Sequence, residues 1–193
     1  VLFPCLPGDP PPGDDATEVR LCAPDGLPED IAFEAHRQAL AQWAKAAAIR
    51  YGSASPEQLQ VVGRMVGDCG LFDAPGWAVY QHNPESDTLI AVDGQEVIGF
   101  AALSHEHAQS LTRLQAVYVL PAYRRWGIGT RLLRAALARA SEHGAQQLLA
   151  EVPADNPGLV TFLHADFHLC GFLKKARATT LFLSRETGNK ATR

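Results

Sequence analysis

Between residues 29 and 50 the apolar positions Ile31, Ala35, Ala39, Trp43, Ala46 and Ile49 recur at three- and four-residue steps, which predicts one face of an amphipathic helix. Ser55, Pro56 and Gln58 then supply an N-cap, a first-turn proline and a capping-box partner, so a second helix is expected to run to about Cys69. Further on the apolar runs shorten to strand length. Residues 88–92 and 96–103 are joined through Asp93 and Gly94, a dipeptide that takes positive φ at low cost and predicts a hairpin. Residues 111–120 give a third run ending at Pro121, so three successive strands read as a meander with short connections. An amphipathic helix follows, with Leu132, Leu133, Ala136, Leu137 and Ala140 on one side and Gly144 as its stop. The remainder reads as a strand at 147–152, a short helix at 156–165 and two strands at 167–173 and 179–184. Ahead of all these, residues 19–22 alternate like a short first strand. Residues 70–86 read as loop with some strand in it, because Pro75, Gly76, Asn83 and Pro84 surround Phe72, Trp77 and Tyr80. The order is that of one mixed α/β domain, β-α-α-β-β-β-α-β-α-β-β.

With 193 residues, 47% hydrophobic and 20% charged, the chain can bury a sizeable core, which excludes disorder of the whole. Residues 1–16 hold Pro4, Pro7, Pro10, Pro11 and Pro12 and are expected to be a flexible lead-in. The domain then occupies 17–187, with a flexible tail at 188–193. A net charge of −4 argues against nucleic-acid binding by bulk positive charge. The cysteines, at 5, 22, 69 and 170, form no C-x-x-C pair, so neither structural zinc nor a disulfide framework is expected. No apolar run reaches membrane-spanning length and no secretory layout opens the chain, which reads as cytoplasmic with no membrane partner.

Charge is unevenly spread. From His107 to Ser141 there are arginines at 113, 124, 125, 131, 134 and 139 and no acidic residue, which concentrates positive potential there and leaves the rest of the chain acidic. In the middle of that stretch Gly127-Ile128-Gly129 opens a helix. A helix starting directly after a glycine turn has unpaired amides and a positive dipole end, which together make an anion site. The ending needed for a Walker-type loop and the third glycine of a dinucleotide fingerprint are both missing.

The segment from Val117 to Leu133, with an R-x-x-G-x-G core at Arg124, Gly127 and Gly129, resembles the acyl-CoA-binding motif of the GNAT N-acetyltransferase superfamily. Residues 150–156 are similar to that family's strand followed by a helix-opening Asn, and the hairpin at 88–103 is similar to its second and third strands. The resemblance implies a mixed, mostly antiparallel central sheet flanked by helices. It implies that backbone groups of Val117, Tyr118 and Val119 pair with the pantetheine arm of acetyl-CoA. The amides of Arg125, Trp126, Gly127, Ile128, Gly129 and Thr130 would hold the pyrophosphate beside Arg124, and Asn156 would touch the arm near the thioester. A backbone N–H of Tyr118 or Val119 would also stand where charge develops on the thioester oxygen.

Direct acyl transfer needs a neutral amine, so a general base is useful, and the departing thiolate benefits from an acid. Glu151 is the first candidate base by its place five residues before Asn156, against a reading as a solvated strand glutamate. Glu106, between His105 and His107, is the reserve. The family's tyrosine, seven residues after the Asn, is replaced by Leu163, and Phe167 arrives one residue early. His164 is therefore the candidate acid, with Tyr118, Tyr123 and water as alternatives. No metal is expected. Trp43, Phe72, Trp77, Tyr80 and His82 are candidate walls of the acceptor groove. The acceptor is expected to be a small-molecule amine or a peptide N-terminus, and a homodimer is an allowed assembly. A non-catalytic acyl-CoA-binding sensor is the competing reading, favoured by Leu163.

Overall fold

The computed structural model describes Gly26 and residues 34–69, 72–175 and 178–188. The chain divides into two compact units, residues 1–47 and 48–193. In the first, α1 (Glu34–Ala48) begins with Glu34, whose carboxylate accepts from Gln38 four residues on. The expected strand at 19–22, the lead-in at 1–16 and most of the tail at 188–193 lie outside the described residues.

The second unit carries a seven-stranded sheet ordered β1-β2-β3-β4-β5-β7-β6. Its strands are β1 (Arg50–Ser53), β2 (Ser86–Asp93), β3 (Glu96–Glu106), β4 (Leu111–Val119), β5 (Gln147–Pro153), β6 (His168–Lys175) and β7 (Ala178–Glu186). Every neighbouring pair is antiparallel except β4 and β5. The mixed, mostly antiparallel sheet is as expected, and two elements correct the order. Arg50, read as the end of the first helix, begins strand β1, whose β-branched-poor sequence gives little strand signal. Residues 74–82, read as loop, form helix α3 (Ala74–His82). The Asp73 carboxylate caps it by accepting the Gly76 amide at 2.7 Å, and Pro75 lies in the first turn, where it costs no hydrogen bond.

Helix α2 (Pro56–Cys69) opens with the expected capping box. Ser55 Oγ accepts the Gln58 amide at 3.3 Å, and Gln58 Oε1 accepts the Ser55 amide at 2.9 Å. Gly63 makes room for α3, since a Cβ there would stand 2.9 Å from Trp77 Nε1. One core cluster joins Val62, Met65 and Val66 of α2 with Trp77 and Tyr80 of α3 and with Ile90, Phe100 and Ala102 of the sheet. A second cluster joins Leu132, Leu133, Ala136 and Ala140 of α4 (Ile128–Glu142) with Ile98, Ala101, Leu103, Leu114 and Leu148, and with Phe162 of α5 (Leu159–His164). The sheet is thus filled on both faces, each fully buried aliphatic contributing about 1.5–3 kcal/mol. Gly144, at φ 75°, ends α4 as expected, and the Ala145 amide turns back onto the Ala140 carbonyl at 3.0 Å.

Candidate functional site

The candidate region starts with an irregularity in β4. Opposite β3 the register passes from Leu103↔Leu114 to Ala102↔Ala116, so Gln115 is an extra residue that bulges out of the ladder. On its other side, β4 pairs with β5 only through residues 111–114 against 147–150. Beyond the bulge the two strands part company. Residues 116–119 of β4 stay on β3, and residues 151–153 of β5 stay on β7. Two facing strand edges are left with backbone groups available to an extended ligand.

At the far end of this gap the chain turns through a short 3-10 segment at Pro121–Tyr123 into α4. The turn holds two left-handed residues, Arg125 at φ 69° and Gly127 at φ 75°. Gly127 is the N-cap, and no side chain caps the helix. The first amide to reach a carbonyl within α4 is that of Arg131, on Gly127 at 3.1 Å, so the amides of Ile128, Gly129 and Thr130 face outward from the positive end of the helix. Space above Gly127 is open, as an anion would require. Gly129 has a different reason: a Cβ there would lie 3.2 Å from Thr161 Cγ2, so this glycine lets α5 approach α4.

Arg124 faces back rather than into the turn. Its Nε donates to the Val119 carbonyl at 3.1 Å, and its guanidinium lies 5.7 Å from the centre of the Tyr118 ring. It braces the strand end, while Arg125 is exposed. Trp126 packs edge-on against Tyr123, whose hydroxyl donates to Asp93 Oδ2 at 3.1 Å and so ties the turn to the β2–β3 hairpin. Asn156 opens the bend before α5, its Oδ1 accepting the Gly158 amide at 2.7 Å.

Glu151 stands where β5 leaves β4. Its neighbours Ala150 and Val152 enter the core beside α4, so its carboxylate points to the opposite face. There it meets Arg113 of β4, Nη1 to Oε1 at 3.8 Å, and Arg113 also donates through Nε to Glu106 Oε1 at 2.5 Å. Arg113 and Glu151 line a cleft of about 440 Å³ together with Gln115, Leu149, Cys170 and Phe182. Arg113 and Gln115 were not foreseen. The sequence shows an arginine and a glutamine in a strand, and only the pairing of β4 with β5 brings Arg113 to Glu151.

His164 ends α5 and is exposed, three residues after the Thr161 that touches Gly129. Leu163, at the position of the family's tyrosine, is 52% exposed, and Phe162 is buried edge-on to Phe167. The expected acceptor walls need correction. Trp77 and Tyr80 stack at 5.1 Å, Phe72 packs 5.7 Å from both, and all three belong to the core between α2, α3 and the sheet. Tyr80 also donates to the Asp87 carbonyl at 2.5 Å and accepts the Leu103 amide at 3.0 Å, and burial pushes its pKa up to about 12. His82 is exposed, and Trp43 lies in the first unit.

Comparison with known proteins finds relatives in sequence and in fold. Mycothiol acetyltransferase of Corynebacterium glutamicum strain R is 36% identical over 72 residues, 37% of this chain and 24% of that protein. Streptothricin acetyltransferase of Streptomyces lavendulae is 32% identical over 127 residues, 64% of each. The chain thus spans about a quarter of the length of the first relative and under two thirds of the second. Among solved structures, the fold is shared with the ribosomal-protein-S18-alanine N-acetyltransferase of Escherichia coli. The TM-score there is 0.66 at 15% identity, covering 75% of this chain and 97% of that one. It is also shared with spermidine N-acetyltransferase of Vibrio cholerae in complex with CoA and spermine, at TM-score 0.61 and 12% identity over 73% and 96% of the two chains. The acetyltransferase (GNAT) family model matches residues 60–172, which span both the bulged strand and the uncapped helix, and the chain belongs to that family.

Proposed function

We propose that the chain moves an acetyl group from acetyl-CoA to a primary amine by direct attack, with no covalent enzyme intermediate. The observation that carries this reading is the gap between β4 and β5 ending at an uncapped helix N-terminus. An extended, amide-bearing arm with a diphosphate at one end matches both parts at once. Residues Val117, Tyr118 and Val119 would pair with the arm, and the amides from Arg125 to Thr130 would hold the diphosphate. Asn156 would donate to the arm through its NH2, since its Oδ1 is engaged with Gly158. When bound, acetyl-CoA supplies the thioester carbonyl that the amine attacks and the thiolate that leaves.

The residues of the chain handle charge and protons. Glu151 takes the proton that the ammonium must lose before its nitrogen bonds to the acetyl carbon. Arg113, shared between Glu106 and Glu151, orients that carboxylate toward the cleft. The amide of Tyr118 or Val119 steadies the oxygen that gains charge, and His164 returns a proton to sulfur as the C–S bond breaks. The acceptor is a small amine or a peptide N-terminus, a cation that the Glu151 carboxylate in the cleft wall would meet.

The test is release of free CoA from acetyl-CoA in a screen of amino acids, polyamines, aminoglycosides and N-terminal peptides. One class is expected to be turned over, and Glu151→Gln is expected to lower kcat by about 10²–10⁴ while CoA affinity holds. The exposed Leu163 favours a second reading, a sensor that binds acyl-CoA without turning it over. Tight CoA binding with no turnover across all four classes would select the sensor.

A further inference from the structure

The two ends of α4 present different chemistry. A helix of 15 residues is about 22 Å long, so its C-terminus lies well away from the proposed diphosphate site. Just past that end, His143 stacks on His105, with ring centroids 3.8 Å apart and planes 6° from parallel. His105 stands at the end of β3 and is only 4% exposed. Its Nδ1 lies 2.9 Å from Thr112 Oγ1, on the neighbouring strand. Its Nε2 is buried and, among the described residues, has no hydrogen-bond partner. A buried ring nitrogen left in this way calls for an occupant, because native interiors satisfy nearly all such groups.

What surrounds the nitrogen indicates the kind of occupant. Asp87 of β2 offers a carboxylate oxygen, and that atom and one ring nitrogen from each of His105 and His143 all lie within 4.8 Å of one another. Arg139 Nε holds Asp87 Oδ2 at 2.6 Å, which fixes the carboxylate and leaves its other oxygen to ligate. If Nδ1–H of His105 donates to Thr112, Nε2 keeps its lone pair; this is how a ligating histidine is oriented by its outer neighbour. Glu142 pairs with Arg139 at 3.0 Å and Glu85 with His107 at 2.7 Å. With the histidines neutral, three carboxylates against one guanidinium leave two negative charges, which a divalent ion neutralises.

We propose that Asp87, His105 and His143 bind one divalent transition-metal ion of the imidazole-preferring class, such as zinc, nickel or cobalt. His143 is exposed beyond the last turn of α4, where its side chain can swing from the stacked position onto the ion. Such an ion would tie the ends of β2 and β3 to the end of α4. It would be structural, and independent of the acetyl-transfer reading.

The test is a titration of the chelator-stripped full chain with cobalt(II) alone, followed by absorption and by thermal melting. One equivalent is expected to bind with the visible bands of nitrogen and oxygen ligation and to raise Tm by mass action. No thiolate charge-transfer band is expected. His143→Ala, a surface change, is expected to weaken the affinity by roughly 100-fold. Asp87→Asn is expected to do the same should the first variant fail to fold, while His168→Ala should leave affinity unchanged. The proposal is overturned by the absence of saturable binding, by a thiolate band, or by binding indifferent to both His143→Ala and Asp87→Asn.

Discussion

A single hydroxyl can hold three parts of a fold together. Tyr80 of α3 donates to the Asp87 carbonyl, accepts the Leu103 amide, and lies 3.1 Å from Thr88 Oγ1. Tyr80→Phe keeps the ring packed but strands a buried amide and a half-buried carbonyl, so it should cost about 1–3 kcal/mol, read by denaturant unfolding. It also has a pH signature. Because the folded pKa stands at about 12, above the unfolded value near 10, the unfolded state releases this proton first. The contribution of Tyr80 is therefore fully present below pH 10 and is lost as pH rises from there to about 12. Tyr80→Phe should flatten the fall of stability in that window. Gly127 illustrates a different constraint. Its φ of 75° with open space above means that Gly127→Ala should cost about 1–2 kcal/mol from backbone conformation alone. If the turn holds a diphosphate, the same variant should also weaken CoA binding in calorimetry.

Among the elements, β4 does the most. Its first half is an ordinary inner strand, and its second half is the edge of a gap, with the bulge at Gln115 as the point of change. Gly99 on β3 lets the second half lie close, because a Cβ there would stand 2.7 Å from the Tyr118 carbonyl. Gly99→Ala should therefore push the strand end outward, costing about 1–3 kcal/mol and weakening CoA binding more than Gly52→Ala, which meets open space. Paired melting and binding curves for the two variants would check this. The elements legible in the sequence were those with local signatures. The capping box at Ser55, the Asp93-Gly94 hairpin and the glycine stop of α4 depend on residues a few positions apart. Helix α3 was hidden by Pro75 and Gly76 in its first turn, although Asp73 three residues before Gly76 was a readable cap. The bulge at Gln115 was not legible, since it is a matter of the register of β4 against β3, which no local signal records. The histidine cluster was hidden for the same reason: its members come from β2, β3 and the end of α4, and sequence spacing showed only the His105–His107 pair.

Across the molecule, the two faces of the sheet divide the work. The α4 face carries the positive helix end and the glycine turn, whereas Glu151, Arg113 and Glu106 open onto the other face beside the cleft. The unpaired edges of β4 and β5 connect the two, so a donor bound from one side would present its acyl end to an amine arriving from the other. The family match at 60–172 lies within the second compact unit, which contains every residue of this arrangement. Among the described residues no helix is long and apolar enough to cross a membrane. The central claim concerns main-chain amides, so an amide-resolved NMR titration of the whole chain with CoA tests it most directly. The account predicts that the amides of residues 125–130 and of Val117 and Val119 shift together and saturate at one equivalent. Saturable binding that leaves those amides unmoved while others shift would contradict it.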